Sequence, residues 1–114
     1  MSDDYRVRKV LESVKRDPSR SVLELANLVR LSSSRLGHLF RLQVGVNLNQ
    51  FLRNARLDRA ADLLLRTELS IKEVADMAGY HHASSFDRGF HKKFGVSPAC
   101  YRRERRQQIT SVKL

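Results

Sequence analysis

Two stretches of this chain repeat each other, and an internal repeat limits the fold more than any single residue does. Ser21-Val22-Leu23-Glu24 and Ser70-Ile71-Lys72-Glu73 share the pattern S-x-x-E at an offset of 49. That pattern is a capping box, in which serine and glutamate satisfy each other's backbone N–H groups at a helix start. Leu25-Ala26 and Val74-Ala75 follow, and four residues past each alanine comes a turn, Arg30-Leu31 and then Gly79-Tyr80. Beyond the turn the offset is 50: Leu36 and Phe40 match Phe86 and Phe90, Gly45-Val46-Asn47 matches Gly95-Val96-Ser97, and Phe51 and Arg53 match Tyr101 and Arg103. The second turn is therefore one residue longer than the first. Chance supplies single matches, not an ordered set of caps, core positions and stops.

This repeat predicts an all-α fold of seven helices, with two helix-turn-helix subdomains joined by one long linker helix. The first helix covers about Tyr5 to Arg16, with Val7, Val10, Leu11 and Val14 on one face, and Asp17-Pro18 ends it. The second runs from Val22 to about Val29, and the third from Ser33 to Val44 with Gly45 as its C-terminal cap. Asn47 caps a fourth helix, Leu48 to about Arg66, which buries Leu48, Phe51, Leu52, Ala55 and Leu63 or Leu64. Helices over Ile71–Ala78 and Ala83–Phe94 repeat the second and third. Ser97 caps the seventh, with Pro98 at its first position. The expected organisation is a first subdomain at 1–46, a linker helix at 47–66 and a second subdomain at 67–114. Met1-Ser2-Asp3-Asp4 suits a natural start.

Charge narrows the partner. With 22 Lys and Arg against 12 Asp and Glu, the net charge of +10 suits a polyanion. No acid lies between Leu31 and Leu57, where Arg35, Arg41, Arg53 and Arg56 occur. From Arg88 onward Glu104 stands alone against Arg88, Lys92, Lys93, Arg102, Arg103, Arg105, Arg106 and Lys113. Charge runs are often no more than solvated surface, but these two occupy corresponding parts of the repeat. Cys100 is the only cysteine, so no internal disulfide forms and a reducing compartment is expected. The polar, acidic N-terminus is unlike a signal peptide, and no apolar run approaches the ~20 residues that span a bilayer.

A short capped helix, a turn and a second amphipathic helix form a unit whose second helix fits the DNA major groove. In the third helix, Leu36, Leu39 and Phe40 turn inward, leaving Ser33, Ser34, Gly37, His38 and Arg41 outward or flanking. In the sixth, Phe86 and Phe90 turn inward, leaving Ala83, Ser84, Asp87 and Arg88 outward. Arg88 is the strongest base-contact candidate, because its planar fork can read guanine. Ser84 suits a base or phosphate, and Ala83 a thymine methyl. Asp87 either orients Arg88 or accepts from cytosine. Ser32 and Ser33 are equally ordinary as helix caps. Gly37 offers no side chain, so it allows close backbone approach or no contact.

With these residues in hand, the chain resembles the DNA-binding domain of the AraC/XylS family of transcription regulators, including its short stand-alone members. The likeness spans about Ser21 to Arg103. It rests on Gly79-Tyr80, Phe86, Arg88, Phe90, Lys93, Phe94, Gly95-Val96-Ser97-Pro98 and Tyr101-Arg102, with Arg56-Leu57, Ala60, Leu63 and Leu64 echoing the linker helix. It implies base reading by Ser34, Gly37 and His38, and by Ala83, Ser84, Ser85 and Arg88. Taken together, the base-reading candidates are Ser33, Ser34, Arg35, Gly37, His38, Ala83, Ser84, Ser85, Asp87 and Arg88. Backbone candidates are Ser32, Arg41, His81, His82, Lys92 and Lys93. Arg30 stands where the family's first turn often has glycine, which predicts a looser turn. His82 stands where a better N-cap is usual, and His81-His82 meeting phosphate would make binding mildly pH-sensitive.

The resemblance implies double-stranded promoter DNA as partner, contact with RNA polymerase in an activator, and the bacterial cytoplasm or nucleoid as location. Larger members carry an effector or dimerisation domain before this one. The alternative is a non-specific basic binder of nucleoid DNA or RNA, against which the inward phenylalanines leave no exposed stacking platform. An enzyme is disfavoured, because Cys100 has no acid or histidine in an identifiable relation to it. No cofactor is implied, and no Cys/His spacing resembles a zinc site.

Overall fold

Polar side chains mark where the helices begin. A computed structural model describes residues 4–112, with the side chains of 109–112 set aside, so Met1 to Asp3 and Lys113 to Leu114 lie outside the described residues. The elements are α1 (Tyr5–Arg16), α2 (Val22–Leu28), α3 (Ser33–Val44), α4 (Leu48–Arg66), α5 (Ile71–Met77), α6 (Ala83–Phe94) and α7 (Pro98–Val112). Asp4 caps α1 by accepting from Arg6 N–H at 2.9 Å. Ser21 and Ser70 each accept from the glutamate three residues on, and each glutamate accepts in return, so both capping boxes are complete. Ser32 accepts from Arg35 N–H at 3.1 Å, Asn47 from Asn49 N–H at 2.8 Å and Ser97 from Cys100 N–H at 3.1 Å. No described helix is long and apolar enough to cross a membrane.

Both short helices end in the same way. Leu31 N–H donates to Ala26 C=O at 3.0 Å and Arg30 N–H to Asn27 C=O at 3.2 Å. Tyr80 N–H donates to Ala75 C=O at 2.9 Å and Gly79 N–H to Asp76 C=O at 3.0 Å. Each set is a Schellman motif, which places one residue in the left-handed region. That residue is Arg30 at φ 59° in the first turn and Gly79 at φ 99° in the second. The expectation of a looser first turn is therefore corrected: the arginine adopts the left-handed conformation and the hydrogen bonds close as they do around the glycine. Because Val29 and Ala78 are the C-caps, α2 and α5 each stop one residue short of the expected end.

The chain divides into two compact units, Met1–Ala55 and Arg56–Leu114. In the first, Val7, Val10 and Val14 of α1 pack with Leu25, Ala26, Leu36, Phe40, Leu48 and Leu52. Half-buried Leu11, Leu39, Phe51 and Ala55 close this core, and the Phe40 and Phe51 rings stand 5.2 Å apart. In the second, both Leu63 and Leu64 are buried, together with Leu57, Ala60 and Ala61, against Val74, Ala75, Phe86, Phe90 and Tyr101. Its aromatic rings form a connected set, Phe86 to Phe90 at 5.7 Å, Phe90 to Phe94 at 4.5 Å and Phe90 to Tyr101 at 5.2 Å. Tilted and edge-on rings at such distances add to what area burial alone supplies.

Two arginines of α7 act inside the second unit. Arg102 Nε donates to Leu64 C=O at 2.9 Å, and Arg106 donates to Thr67 C=O at 2.6 Å and to Leu64 C=O at 3.2 Å. Leu64 lies in the last turn of α4 and Thr67 directly follows it, where helix geometry leaves carbonyls without internal donors. Arg106 also pairs with Glu68 at 3.3 Å. The basic run after Arg88 is thus only partly an open surface.

Candidate nucleic-acid interface

Burial of one face of α3 and α6 determines what the opposite face presents. Leu36 and Phe40 are buried in α3, and Phe86 and Phe90 in α6. On α3, Ser32, Ser33, Ser34, Arg35, His38 and Arg41 are exposed, and Gly37 is half-buried. On α6 and the turn before it, His81, His82, Ala83, Ser84, Asp87, Arg88, Lys92 and Lys93 are exposed, and Ser85 is half-buried. The structure gathers each group of candidates on one helix and its flank within its own unit.

Several side chains have defined roles in this arrangement. The Ser32 hydroxyl is the cap of α3. His82 occupies the N-cap of α6 but makes no side-chain bond, so the first turn of α6 keeps backbone donors without that cap. Donors of this kind, at the positive end of a helix dipole, favour an anion. Lys93 Nζ lies 2.9 Å from an Asp58 carboxylate oxygen, so its charge is already partly answered within the unit. Arg88 forms no hydrogen bond or ion pair among the described residues, and Asp87 does not orient it. Neighbouring positions on a helix point about 100° apart, which separates these two side chains.

Sequence reasoning missed the surroundings of α3. A groove of about 370 Å³ runs beside it, lined by Ser33, Ser34, Gly37 and Arg41 and by Asn47, Leu48 and Asn49 from the start of α4, with Val22 of α2. The basic, acid-free character of 31–57 was the one available signal. It did not show that α3 and the first turn of α4 would flank a common space. In the second unit a groove of about 320 Å³ is lined by Ile71, Ala75, Tyr80, His81, Ala83 and Asp87 among others. Cys100 is half-buried, and its hydrogen bond with Glu104 pushes the thiol pKa up, with burial acting the same way. That is opposite to the lowering that activates a thiol nucleophile.

Two capped helix-turn-helix units with open second helices define a paired helix-turn-helix domain. Comparison with known proteins gives the family. A family model described as "Helix-turn-helix domain" matches residues 25–104. The arabinose operon regulatory protein of Escherichia coli is 31% identical over 112 residues, covering 96% of this chain and 38% of that protein. The transcriptional activator NphR of a Rhodococcus species is 34% identical over 102 residues, covering 90% of this chain and 30% of its own length. Among solved structures, the DNA-binding domain of AdpA in complex with a target DNA superposes with a TM-score of 0.81 at 27% identity, covering 94% of this chain and 96% of that one. The C-terminal domain of AraT, a response regulator from Geobacillus stearothermophilus, gives 0.78 at 30% identity, covering 89% and 86%. The chain belongs to the AraC-type helix-turn-helix family. It spans about a third of the length of the curated relatives it matches.

Proposed function

We propose that this chain binds double-stranded DNA sequence-specifically and regulates transcription, with α3 and α6 entering successive major grooves. The duplicated turn carries this reading: each Schellman turn leads into a 12-residue helix with a buried apolar face and an exposed polar one. The AdpA domain, similar in fold and solved on its target DNA, supports it. At ~1.5 Å per residue the 19-residue α4 is about 28 Å long. One turn of DNA, which separates successive major grooves on one face, is about 34 Å.

Arg88 is the leading base reader, with Ala83, Ser84, Ser85 and Asp87 beside it, and Ser33, Ser34, Arg35, Gly37 and His38 serve the first unit. Ser32, Arg41, His81, His82, Lys92 and Lys93 are assigned to the sugar–phosphate backbone. Activation through RNA polymerase belongs to the same reading, supported by the activator among the relatives. Those relatives are roughly three times longer than this chain. Selection from a random duplex library tests the function. A bipartite motif with half-sites one turn apart is expected, and recovery of no motif would replace this reading with non-specific binding.

A further inference from the structure

Gly37 lies inside α3, where glycine is less favourable than alanine because it has more backbone freedom to lose. A glycine usually repays that cost through a positive φ or a close internal neighbour. Gly37 has neither: its φ is not positive, and a Cβ built there meets no atom within 4 Å. Gly89 of α6 differs, since a Cβ there would touch Tyr80 and Leu57. The space over Gly37 is the groove of about 370 Å³, bordered by Arg41, Ser33, Ser34, Asn47 and Asn49. One cation, two hydroxyls and two amides, in a stretch with no acid from Leu31 to Leu57, suit an anionic, oxygen-rich occupant.

We infer that this groove seats one strand's sugar–phosphate backbone, and that Gly37 is the point of closest approach, where even a methyl group would collide with the DNA. The inference rests on the DNA-binding reading and deepens it. Arg41 supplies the charge and the Asn49 amide donates to a phosphate oxygen, while Ser33 and Ser34 lie along the rim of the groove, beside the base edges. Gly37, which has no side chain, then serves base reading in the first unit by setting how deeply α3 sits and so which base edges Ser34 and His38 reach.

The test uses the full chain with Gly37→Ala and Gly37→Leu, on a library-selected duplex and on a scrambled duplex of equal length. Gly37→Ala is expected to raise the thermal unfolding midpoint yet weaken binding to both duplexes about tenfold, with Gly37→Leu weaker again. Arg41→Ala and Asn49→Ala should likewise weaken both duplexes to a similar degree. Unchanged binding by both Gly37 variants overturns the inference. A loss confined to the selected duplex also overturns it, because Gly37 would then face a base edge. Since the backbone carries no sequence, the scrambled duplex tests Gly37 even if selection recovers no motif, so the two readings fail separately.

Discussion

Arg30 and Gly79 hold equivalent places in equivalent turns, yet their backbones differ in a way that explains why one can be arginine. The φ of 59° at Arg30 sits at the left-handed minimum open to an L residue, at roughly 1–2 kcal/mol above a right-handed conformation. The φ of 99° at Gly79 lies beyond that minimum. Gly79→Ala is therefore expected to destabilise the fold by about 1–2 kcal/mol. Arg30→Gly should be neutral or stabilising by up to about 1 kcal/mol, since relief of strain is offset by the freer unfolded chain. Urea unfolding of both variants checks the pair, and a large loss in Arg30→Gly would mean that the side chain has a structural partner. The repeat made the turn legible. It could not reveal that arginine would complete the same motif, because backbone conformation at a non-glycine residue leaves no trace in the sequence.

The helices themselves were legible almost to the residue, because caps and stops are local chemistry: a serine, a glutamate three on, a glycine at the end. The capping box of α5 adds a pH dependence. Bonds from the backbone N–H and side chain of Ser70 hold the Glu73 carboxyl below the usual glutamate range. A lowered carboxyl pKa in the folded state contributes stability that is fully present above the unfolded value of about 4.3. That contribution disappears as pH falls through the lower folded value. Glu73→Gln keeps a capping partner but cannot titrate. Its stability relative to the parent should improve as pH drops from 5 to 3, and parallel acid-unfolding curves would exclude the linkage. What was not legible at this scale is the clamp of Arg102 and Arg106 on the end of α4, which joins residues 35 to 42 positions apart. Hydrogen bonds from charged donors are each worth about 1.5–3 kcal/mol when buried, less at half-buried sites. Arg102→Met should thus cost about 1–2 kcal/mol, whereas exposed Arg103→Ala should stay within about 0.5 kcal/mol. Equal effects in thermal melts would remove the clamp.

For the whole molecule, a net charge of +10 is readable from composition, but how much of it faces DNA is not. Arg6 pairs with Asp4, Arg66 with Asp62 and Lys93 with Asp58, while Arg102 and Arg106 bond carbonyls. The salt dependence of binding should accordingly reflect fewer phosphate contacts than the basic residues suggest. Each phosphate contact contributes about 0.9 to the slope of log K against log salt. Lys92→Ala and Arg41→Ala are each expected to lower that slope by about 1 and weaken selected and scrambled duplexes alike. Arg88→Ala has a different signature: a loss of about 1–3 kcal/mol on the selected duplex, with relaxed preference at one base pair and little change on scrambled DNA. Ser34→Ala should cost less than Arg88→Ala, because a hydroxyl lacks the bidentate fork. Fluorescence anisotropy across a salt series, with both duplexes, separates these signatures. If Arg88→Ala weakened both duplexes equally, Arg88 would be a backbone contact. Sequence discrimination would then have to come from another part of the chain or from the shape of the DNA.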